Sequence, residues 1–171
     1  KELDFVSHDQ YPIGFWTEQG ALPDPADLAI KLDFVRGLKR RTYWIMEQQA
    51  GPAGWDLIGA TPRPGQLRLW AAQSIAHGAD TVVYFRWRTC LFGTEEYWHG
   101  ILPHDGKPGR RYEEVKRTAK ELSPIMDRIQ GKAPRADAAI LFSYDQSWAN
   151  QIQPHHPDLK YREHIRTFDN T

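Results

Sequence analysis

The sequence has little sulfur, no long apolar run and no excess of charge of either sign, and each of these absences excludes a class of protein. Cys90 is the single cysteine among 171 residues, so an internal disulfide framework and a cysteine-rich zinc site are both excluded. No apolar run approaches the roughly 18 residues that a membrane-spanning helix needs. The 22 basic and 22 acidic side chains balance, which provides no electrostatic footprint for nucleic acid or for an anionic membrane. We therefore expect a globular protein with neither as a partner.

The two ends of the chain differ from those expected of a complete domain. Lys1-Glu-Leu-Asp4 is not a signal peptide, and a single cysteine fits a reducing cytoplasm, which is the expected location. The first residue stands almost directly before a strand-like run, and the last ones, Thr167 to Thr171, break off inside a helical pattern. The sequence is therefore interpreted as a segment of a longer polypeptide.

Hydrophobic periodicity predicts a strand followed by a helix, repeated three times. Strands are predicted over residues 3–7, 42–46 and 81–85, and helices over 24–38, from Pro64-Gly65 to Gly78, and from Arg111 to Gly131 with a break at Ser123-Pro124. The loops after the strands are long and the turns after the helices are short. This asymmetry is typical of a parallel α/β sheet in which the carboxyl ends of the strands carry function.

Spacing within these elements predicts the buried positions. The strand 81–85 is continuously β-branched and aromatic, as expected of a strand buried on both faces of a parallel sheet. In the helices, the predicted buried residues are Leu28, Leu32, Val35 and Leu38, then Leu67, Trp70, Ala71, Ser74 and Ile75, then Tyr112, Val115, Ala119 and Leu122.

A composition change near residue 131 predicts a domain boundary. Gly131-Lys-Ala-Pro-Arg135 has the glycine and proline of a linker, and Ala138-Ala-Ile-Leu-Phe142 is predicted to open a new strand. We therefore assign residues 1–131 to the first domain. Residues 132–171 are assigned to a linker and the beginning of a second α/β domain, which starts near residue 136.

Glu47 is the first candidate for chemistry. It follows the apolar run Tyr43 to Met46 and is itself followed by amides, glycines and a proline. An acid at the end of a buried strand, before a glycine- and proline-containing loop, is how an α/β barrel presents a catalytic group. The alternative is a glutamate that faces solvent or caps a loop, since exposed glutamates are common.

Glu96 and His99 are the second candidates. They lie three residues apart, so a helical turn would place both on one side, where they could clamp adjacent hydroxyls. The same spacing is half of a metal site, but His77 and His104 provide no matching ligand pattern. Ordinary solvated loop residues remain the alternative.

Five stretches resemble glycoside hydrolase family 42. They are "DFVSHDQYP" (4–12), "WIMEQQAGPAGW" (44–55), "RPGQLRLWAAQSIAHGADTVVYFRWR" (63–88), "EEYWHGILPHDGK" (95–107) and "AAILFSYDQSW" (138–148). The resemblance covers nearly the whole chain in the family's order. It implies the last three βα units of a (β/α)8 TIM barrel, followed by the start of a flavodoxin-like domain that mediates homotrimer formation.

The resemblance also implies a retaining β-galactosidase acting on β-galactosides or galacto-oligosaccharides. Glu47 would be the nucleophile, with Trp55 and Phe85 shaping the galactose subsite and Glu96 and His99 holding sugar hydroxyls. Glu96 is preferred to its neighbour Glu95 because it keeps the three-residue step to His99. The sequence departs from the family at His8, where an aromatic such as Trp is expected.

The catalytic machinery visible in the sequence is incomplete. Retaining hydrolysis needs two carboxyls about 5–5.5 Å apart, one as nucleophile and one as acid and then base. Basic neighbours such as Arg86 or Arg88 would favour the ionised form of Glu47. In the family the second carboxyl belongs to an Asn-Glu pair, and the sequence has none, so the acid/base is expected in a missing N-terminal part of the chain. The segment alone is expected to be inactive and poorly soluble, and no cofactor or metal is predicted.

Three alternatives to a β-galactosidase stay open. The same scaffold could act on α-L-arabinopyranosides, which match galactose except for the exocyclic CH₂OH. A non-catalytic carbohydrate-binding relative could keep the fold, although it would have no need of Glu47. A generic α/β domain unrelated to sugars would leave the shared motifs as coincidence.

Overall fold

The computed structural model describes residues 2–13, 24–54, 59–154 and 156. The chain divides into two units, Lys1–Pro134 and Arg135–Thr171. In chain order the elements are β1 (Ser7–Gln10), α1 (Pro25–Lys39), β2 (Tyr43–Gln49), α2 (Gln66–Ala76), β3 (Ala79–Phe85), α3 (Arg110–Ile129) and α4 (Tyr144–Ile152). The first six lie in the first unit and α4 lies in the second.

The three strands form one parallel sheet in the order β1-β2-β3, with a helix following each strand. The predicted alternation of strand and helix is therefore confirmed. Two strand positions differ from the prediction. β1 lies at Ser7–Gln10 rather than at residues 3–7, and β2 continues past Glu47 to Gln49. Both differences have one cause, since Asp9 and Gln10 pair with Glu47 and Gln48 in the ladder, which extends both strands.

Helix α1 begins as its sequence predicts. The Asp24 side chain accepts a hydrogen bond from the backbone N–H of Ala26 at 2.9 Å, and Pro25 occupies the first turn, where its missing N–H costs nothing. Three of the four predicted core positions of the helix are buried. Leu38 is 53% exposed instead, because it lies in the last turn of the helix, after the buried residues Leu28, Leu32 and Val35.

Helix α2 follows its prediction at every core position. All five residues of the predicted face are buried, namely Leu67, Trp70, Ala71, Ser74 and Ile75. After the helix, Gly78 adopts a φ of 101°, a conformation that glycine reaches without strain. The amino end of the helix has no side-chain cap of its own. Instead, Glu114 of α3 accepts hydrogen bonds from the backbone amides of Gly65 and Leu67, both at 3.0 Å.

Strand β3 is less enclosed than predicted. Ala79 is buried, but Val83 is 40% exposed and the remaining residues are half-buried. The reason is topological, since β3 is an edge strand of the sheet. Burial on both faces needs a neighbour on each side and cover on each face.

Helix α3 runs without interruption through Pro124, so the predicted break at Ser123-Pro124 is wrong. Pro124 has no N–H to donate to the carbonyl of Lys120, so one helical hydrogen bond is missing. Because Lys120 and Pro124 are both exposed, water can bond to that carbonyl instead. The buried positions also differ from the prediction. Glu114 and Thr118 lie at the buried centre of the helix, whereas Ala119 is exposed.

The second unit contains no strand within its described residues, 135–154 and 156, so the strand predicted at Ala138–Phe142 is wrong. A strand needs a hydrogen-bonding neighbour, and this part of the unit provides none; Leu141 is 95% exposed. The regular element here is α4, which the sequence did not predict, and its Ser143 cap accepts from the amide of Gln146 at 3.3 Å. Across the described residues, no helix combines the length and apolarity needed to cross a membrane.

Candidate active site

Irregularities in the ladder decide which way Glu47 points. Tyr43 and Ile45 pack in the core with Leu32 of α1, and the Gln48 side chain bonds to Gln10, whose amide oxygen accepts from Ser74 of α2. Residues 43, 45 and 48 share one face, which regular alternation would not allow. The register shift between Ile45 and Gln48 supplies the extra residue.

We call the side of the sheet that packs on α1 and α2 the helix face and the opposite side the site face. Because adjacent residues point to opposite sides, Glu47 lies on the site face next to the helix-facing Gln48. On the site face its carboxylate meets Tyr11, which follows β1. The Tyr11 hydroxyl donates a hydrogen bond to Glu47 Oε2 at 2.6 Å, a distance typical of a charge-assisted bond.

The charge around Tyr11 keeps the proton on its hydroxyl. The pKa of Tyr11 is raised well above its ordinary value, first by burial, then by the hydrogen bond to Glu47 and by the negative charges of Glu47, Asp9 and Glu95. Three carboxylates therefore lie close enough to act on one phenol. Tyr11 remains a donor towards Glu47 throughout the physiological pH range.

Asp9 is the register partner of Glu47 in the ladder. Burial raises the pKa of Asp9, and the negative charge of Glu47 adds to the effect. A like charge on the adjacent strand disfavours the ionisation of Asp9. The site therefore concentrates negative charge at the carboxyl ends of β1 and β2.

An aromatic wall stands beside Glu47. The ring of Trp98 meets Tyr11 edge to face at 4.9 Å between centroids, and meets Phe85 in the same manner at 6.4 Å. The Arg86 guanidinium lies 4.9 Å from the centre of the Phe85 ring and forms an ion pair of 3.4 Å with Glu95. The expected basic neighbour of Glu47 therefore pairs with Glu95, and the bond to Glu47 comes from Tyr11.

The loop after β2 is fixed by a single glutamine. Gln49 Oε1 accepts from the amide of Ile13 at 3.1 Å, and its Nε2 donates to the carbonyls of Ile13 and Gly51 at 2.9 and 3.0 Å. These bonds tie the exit of β2 to the exit of β1. The strand ends that carry Glu47 and Tyr11 are thereby held in register, and buried Gln49 has a satisfied side chain.

Glu96 and His99 lie in a loop of turns rather than on a helix, so the helical spacing argument does not apply to them. The backbone carbonyl of Glu96 bonds to the His104 ring at 2.9 Å, and the His104 ring stands edge to face with His99 at 5.1 Å. The Glu96 carboxylate bonds to Tyr97, whose pKa it raises. His104 therefore connects the two residues, and no described contact joins either to Glu47.

His99 has an environment that disfavours its charged form. Burial lowers the pKa of His99, and the positive charges of His104 and Arg111 lower it further. His8 lies on β1, and its pKa is also lowered, by burial and by the positive charge of Lys31. Because Lys31 belongs to α1, His8 lies on the helix face of the sheet. Trp55, the remaining predicted site residue, lies outside the described residues.

Sequence reasoning missed Tyr11 and the position of Trp98. Tyr11 lies beyond the strand predicted over residues 3–7, but it follows a strand parallel to that of Glu47, and the carboxyl ends of parallel strands meet at one edge. That signal could have found it. Trp98 lies between Glu96 and His99 in the sequence, and only the folded loop decides which of these neighbours packs against Tyr11. Within the described ranges no three His, Cys, Asp or Glu side chains gather as a metal site would require.

Comparison with known proteins assigns the chain to a family. A family model described as β-galactosidase, that of glycoside hydrolase family 42, matches residues 1–125. A β-galactosidase of Clostridium cellulovorans is 38% identical, covering 99% of this chain and 26% of the relative. One of Haloferax lucentense is 39% identical, covering 98% and 26%.

A solved structure agrees with these relatives. The polyextremophilic β-galactosidase of Halorubrum lacusprofundi superimposes with a TM-score of 0.85 at 36% identity, over 99% of this chain and 26% of that one. The chain thus spans about a quarter of the length of the proteins it matches. The resemblance found in the sequence motifs is confirmed: the chain belongs to glycoside hydrolase family 42.

Proposed function

We propose that the chain carries the nucleophile side of the active site of a retaining β-galactosidase. The observation that supports this most directly is the contact of Glu47 with Tyr11: a carboxylate at the carboxyl end of a parallel strand, beside an aromatic wall, holding a 2.6 Å hydrogen bond. Membership of family 42 and the similarity to relatives named as β-galactosidases support the same function.

The architecture fits the last part of a barrel. Three parallel strands in sequential order, each followed by a helix, match three consecutive βα units of a (β/α)8 barrel. In this proposal residues 1–131 form that part of the barrel. Residues 132–171 form a linker and the start of a domain through which the full protein assembles as a trimer. The N-terminal part of the same polypeptide supplies the other strands.

In the proposed reaction the Glu47 carboxylate attacks the anomeric carbon of a terminal β-galactosyl residue, and the bond to the leaving oxygen breaks. A second carboxyl, from the N-terminal part of the polypeptide, protonates that oxygen and then activates the water that releases galactose. The Tyr11 hydroxyl holds Oε2 and orients the carboxylate so that Oε1 is left to attack. Because only one of the two carboxyls is present, the 171-residue chain alone is expected to be inactive.

The aromatic wall gives the site a surface suited to a sugar ring. Trp98, Tyr11 and Phe85 are arranged edge to face, so they present a stable apolar wall next to the carboxylate. Trp55 is proposed to complete the galactose subsite from the loop after β2.

The acid that holds the sugar hydroxyls has two candidates in one loop. Glu96 and His99 remain the proposed pair from the sequence, with His104 connecting them. The contacts favour Glu95 as well, because its charge acts on Tyr11 and it is oriented by Arg86. Replacing each glutamate separately by glutamine distinguishes them: the residue that binds the sugar is the one whose loss raises KM for a galactoside.

The test traps the intermediate on the complete parent polypeptide. The parent is treated with a 2-deoxy-2-fluoro-galactoside, whose glycosyl-enzyme hydrolyses slowly, and then digested and examined by mass spectrometry. We expect the adduct on the peptide that contains Glu47. The matched variant Glu47→Gln should lose the adduct, and its kcat should fall by at least about a thousandfold.

Other outcomes would contradict the proposal in distinct ways. A parent that hydrolyses galactosides but carries its adduct on another residue would remove Glu47 as nucleophile. A parent that gives neither adduct nor hydrolysis would favour a carbohydrate-binding relative. Faster hydrolysis of α-L-arabinopyranosides than of β-galactosides would keep the mechanism and change the substrate.

A further inference from the structure

The two loops of the active face touch each other directly. The amide of His99 in the loop after β3 donates to the carbonyl of Pro52 in the loop after β2, at 2.9 Å. Beside this bond Gly51 leaves no room for a side chain, because a Cβ there would lie 2.8 Å from the Cβ of His99. The loop that follows Glu47 is therefore in contact with the loop that carries Trp98.

Arg111, in the first turn of α3, lies at this junction. Its Nε and Nη2 both donate to the carbonyl of Gly100, at 3.3 and 3.1 Å. Its Nε also lies 3.2 Å from the point where a Gly51 Cβ would be. One half-buried guanidinium thus contacts both loops at the place where they meet.

Gly100 transmits this contact to the aromatic wall. A Cβ at Gly100 would lie 2.5 Å from the carbonyl oxygen of Arg86, so the glycine is pressed against the exit of β3. Its amide donates to Thr89 Oγ1 at 3.0 Å. With Gly100 held from three sides, Trp98, two residues earlier, has little freedom to move away from Tyr11.

We propose that Arg111 is a positioning residue of the active site. It fixes the position of the loop after β3, which carries Glu96, Trp98 and His99, relative to the strand of Glu47. The inference rests on the proposed function, since it deepens the description of the same site. Arginine suits the task because its planar fork brings two donors to one carbonyl, and a lysine offers a single point charge without that fork. Arg111 acts through Gly100 and Gly51 and touches neither Glu47 nor Tyr11 in the described contacts.

The experiment compares three variants of the complete parent polypeptide. Arg111→Ala removes both donors, and Arg111→Lys keeps the charge but loses the fork. Arg117→Ala is the matched control, because Arg117 lies exposed on the same helix. The kinetic constants kcat and KM for an aryl β-galactoside are expressed per active site titrated with the fluoro-sugar, so that misfolded protein does not count. Amide hydrogen exchange is followed in peptides that cover residues 50–54 and 95–103.

The expected result is a graded loss confined to the Arg111 variants. For Arg111→Ala, kcat/KM per titrated site should fall about tenfold to a hundredfold, with a higher KM, because a shift of about 1 Å at a reacting centre has effects of this size. Arg111→Lys should lie between Arg111→Ala and the parent. Exchange should accelerate in both loops. Arg117→Ala should stay within about twofold of the parent.

Two results would overturn the inference. If Arg111→Ala lowers Tm or the titrated fraction but leaves kcat and KM per site unchanged, the residue is structural only. If exchange in both loops is unaffected, the junction does not depend on Arg111. A parent without galactosidase activity would instead contradict the proposed function, and the exchange measurement would still decide the part about Arg111.

Discussion

The two faces of the three-stranded sheet are built by different rules. The helix face is closed: Leu32, Tyr43 and Ile45 are each 0% exposed and pack together, and buried Gln10 and Gln48 bond to each other. The site face holds carboxylates, a tyrosine and half-buried aromatics, with like charges close enough to shift pKa values. The first face stabilises the fold, and in the proposed function the second face holds the reactive groups. Mutations on the two faces should therefore separate stability from activity.

The largest effect on stability is expected on the helix face. Leu32→Ala in the parent polypeptide removes a fully buried side chain of α1, which should destabilise the protein by about 2–5 kcal/mol because a cavity remains. The value of kcat per titrated site should not change. The measurement is the denaturation midpoint together with active-site titration.

Leu38→Ala is the control for this prediction, since Leu38 lies on the same helix but is 53% exposed. Its effect should stay within about 0.5 kcal/mol. An equal loss of stability in both variants would mean that burial against the sheet does not distinguish them. A fall in kcat per site in Leu32→Ala would break the proposed division between the faces.

An intermediate effect, on activity, is expected from Tyr11→Phe. The change removes the hydroxyl that orients the Glu47 carboxylate, and a small misplacement of a reacting group can cost about a hundredfold in rate, so kcat/KM should fall roughly ten- to a hundredfold. Since both residues are only half-buried, Tm should change little. Steady-state kinetics and thermal unfolding of the parent polypeptide measure the two effects.

Tyr84→Phe makes the same chemical change on the other face. Tyr84 pairs with helix-facing Gln48 in the ladder, and among the described residues its buried hydroxyl has no hydrogen-bond partner. Activity should therefore be unaffected, and stability should be unchanged or slightly higher. If the two tyrosine variants lost activity equally, the contact between Tyr11 and Glu47 would have no special role.

The smallest effect is a pH dependence from His99. Burial and the charges of His104 and Arg111 lower its pKa in the folded protein below the ordinary value of about 6.5. Between the lowered pKa of the folded protein and about 6.5, the unfolded chain binds more protons at His99 than the folded one does. The stability that comes from neutral His99 is therefore complete above about pH 6.5 and is lost as the pH falls below that value. His99→Gln should reduce this loss.

The measurement is the difference in Tm between the parent and His99→Gln at about pH 8 and about pH 5.5. We expect the parent to lose more Tm than the variant between these values. A variant that loses as much Tm as the parent would show that the environment of His99 does not disfavour its charged form.

Local patterns predicted the parts of the fold that depend on neighbours in sequence. The cap at Asp24 and the five buried residues of α2 follow from capping chemistry and helical spacing, and both are confirmed. The errors occurred where distant residues decide. The run Ala138–Phe142 has the composition of a strand, but the described residues of its own unit contain no strand that could pair with it. Pro124 stays inside a helix because water can solvate the helix at that point.

The sequence by itself determined that an acid lies near the end of a strand at Glu47, that Phe85 ends the next strand, and that the chain belongs to its family, because these are properties of local runs and motifs. Only the tertiary structure decided which side chains meet Glu47. A one-residue shift in the ladder turns Glu47 away from the helices, and the folded loop brings Trp98 to Tyr11. The physical reason is that pairing register and loop closure depend on contacts between residues far apart in the chain, which no local pattern encodes.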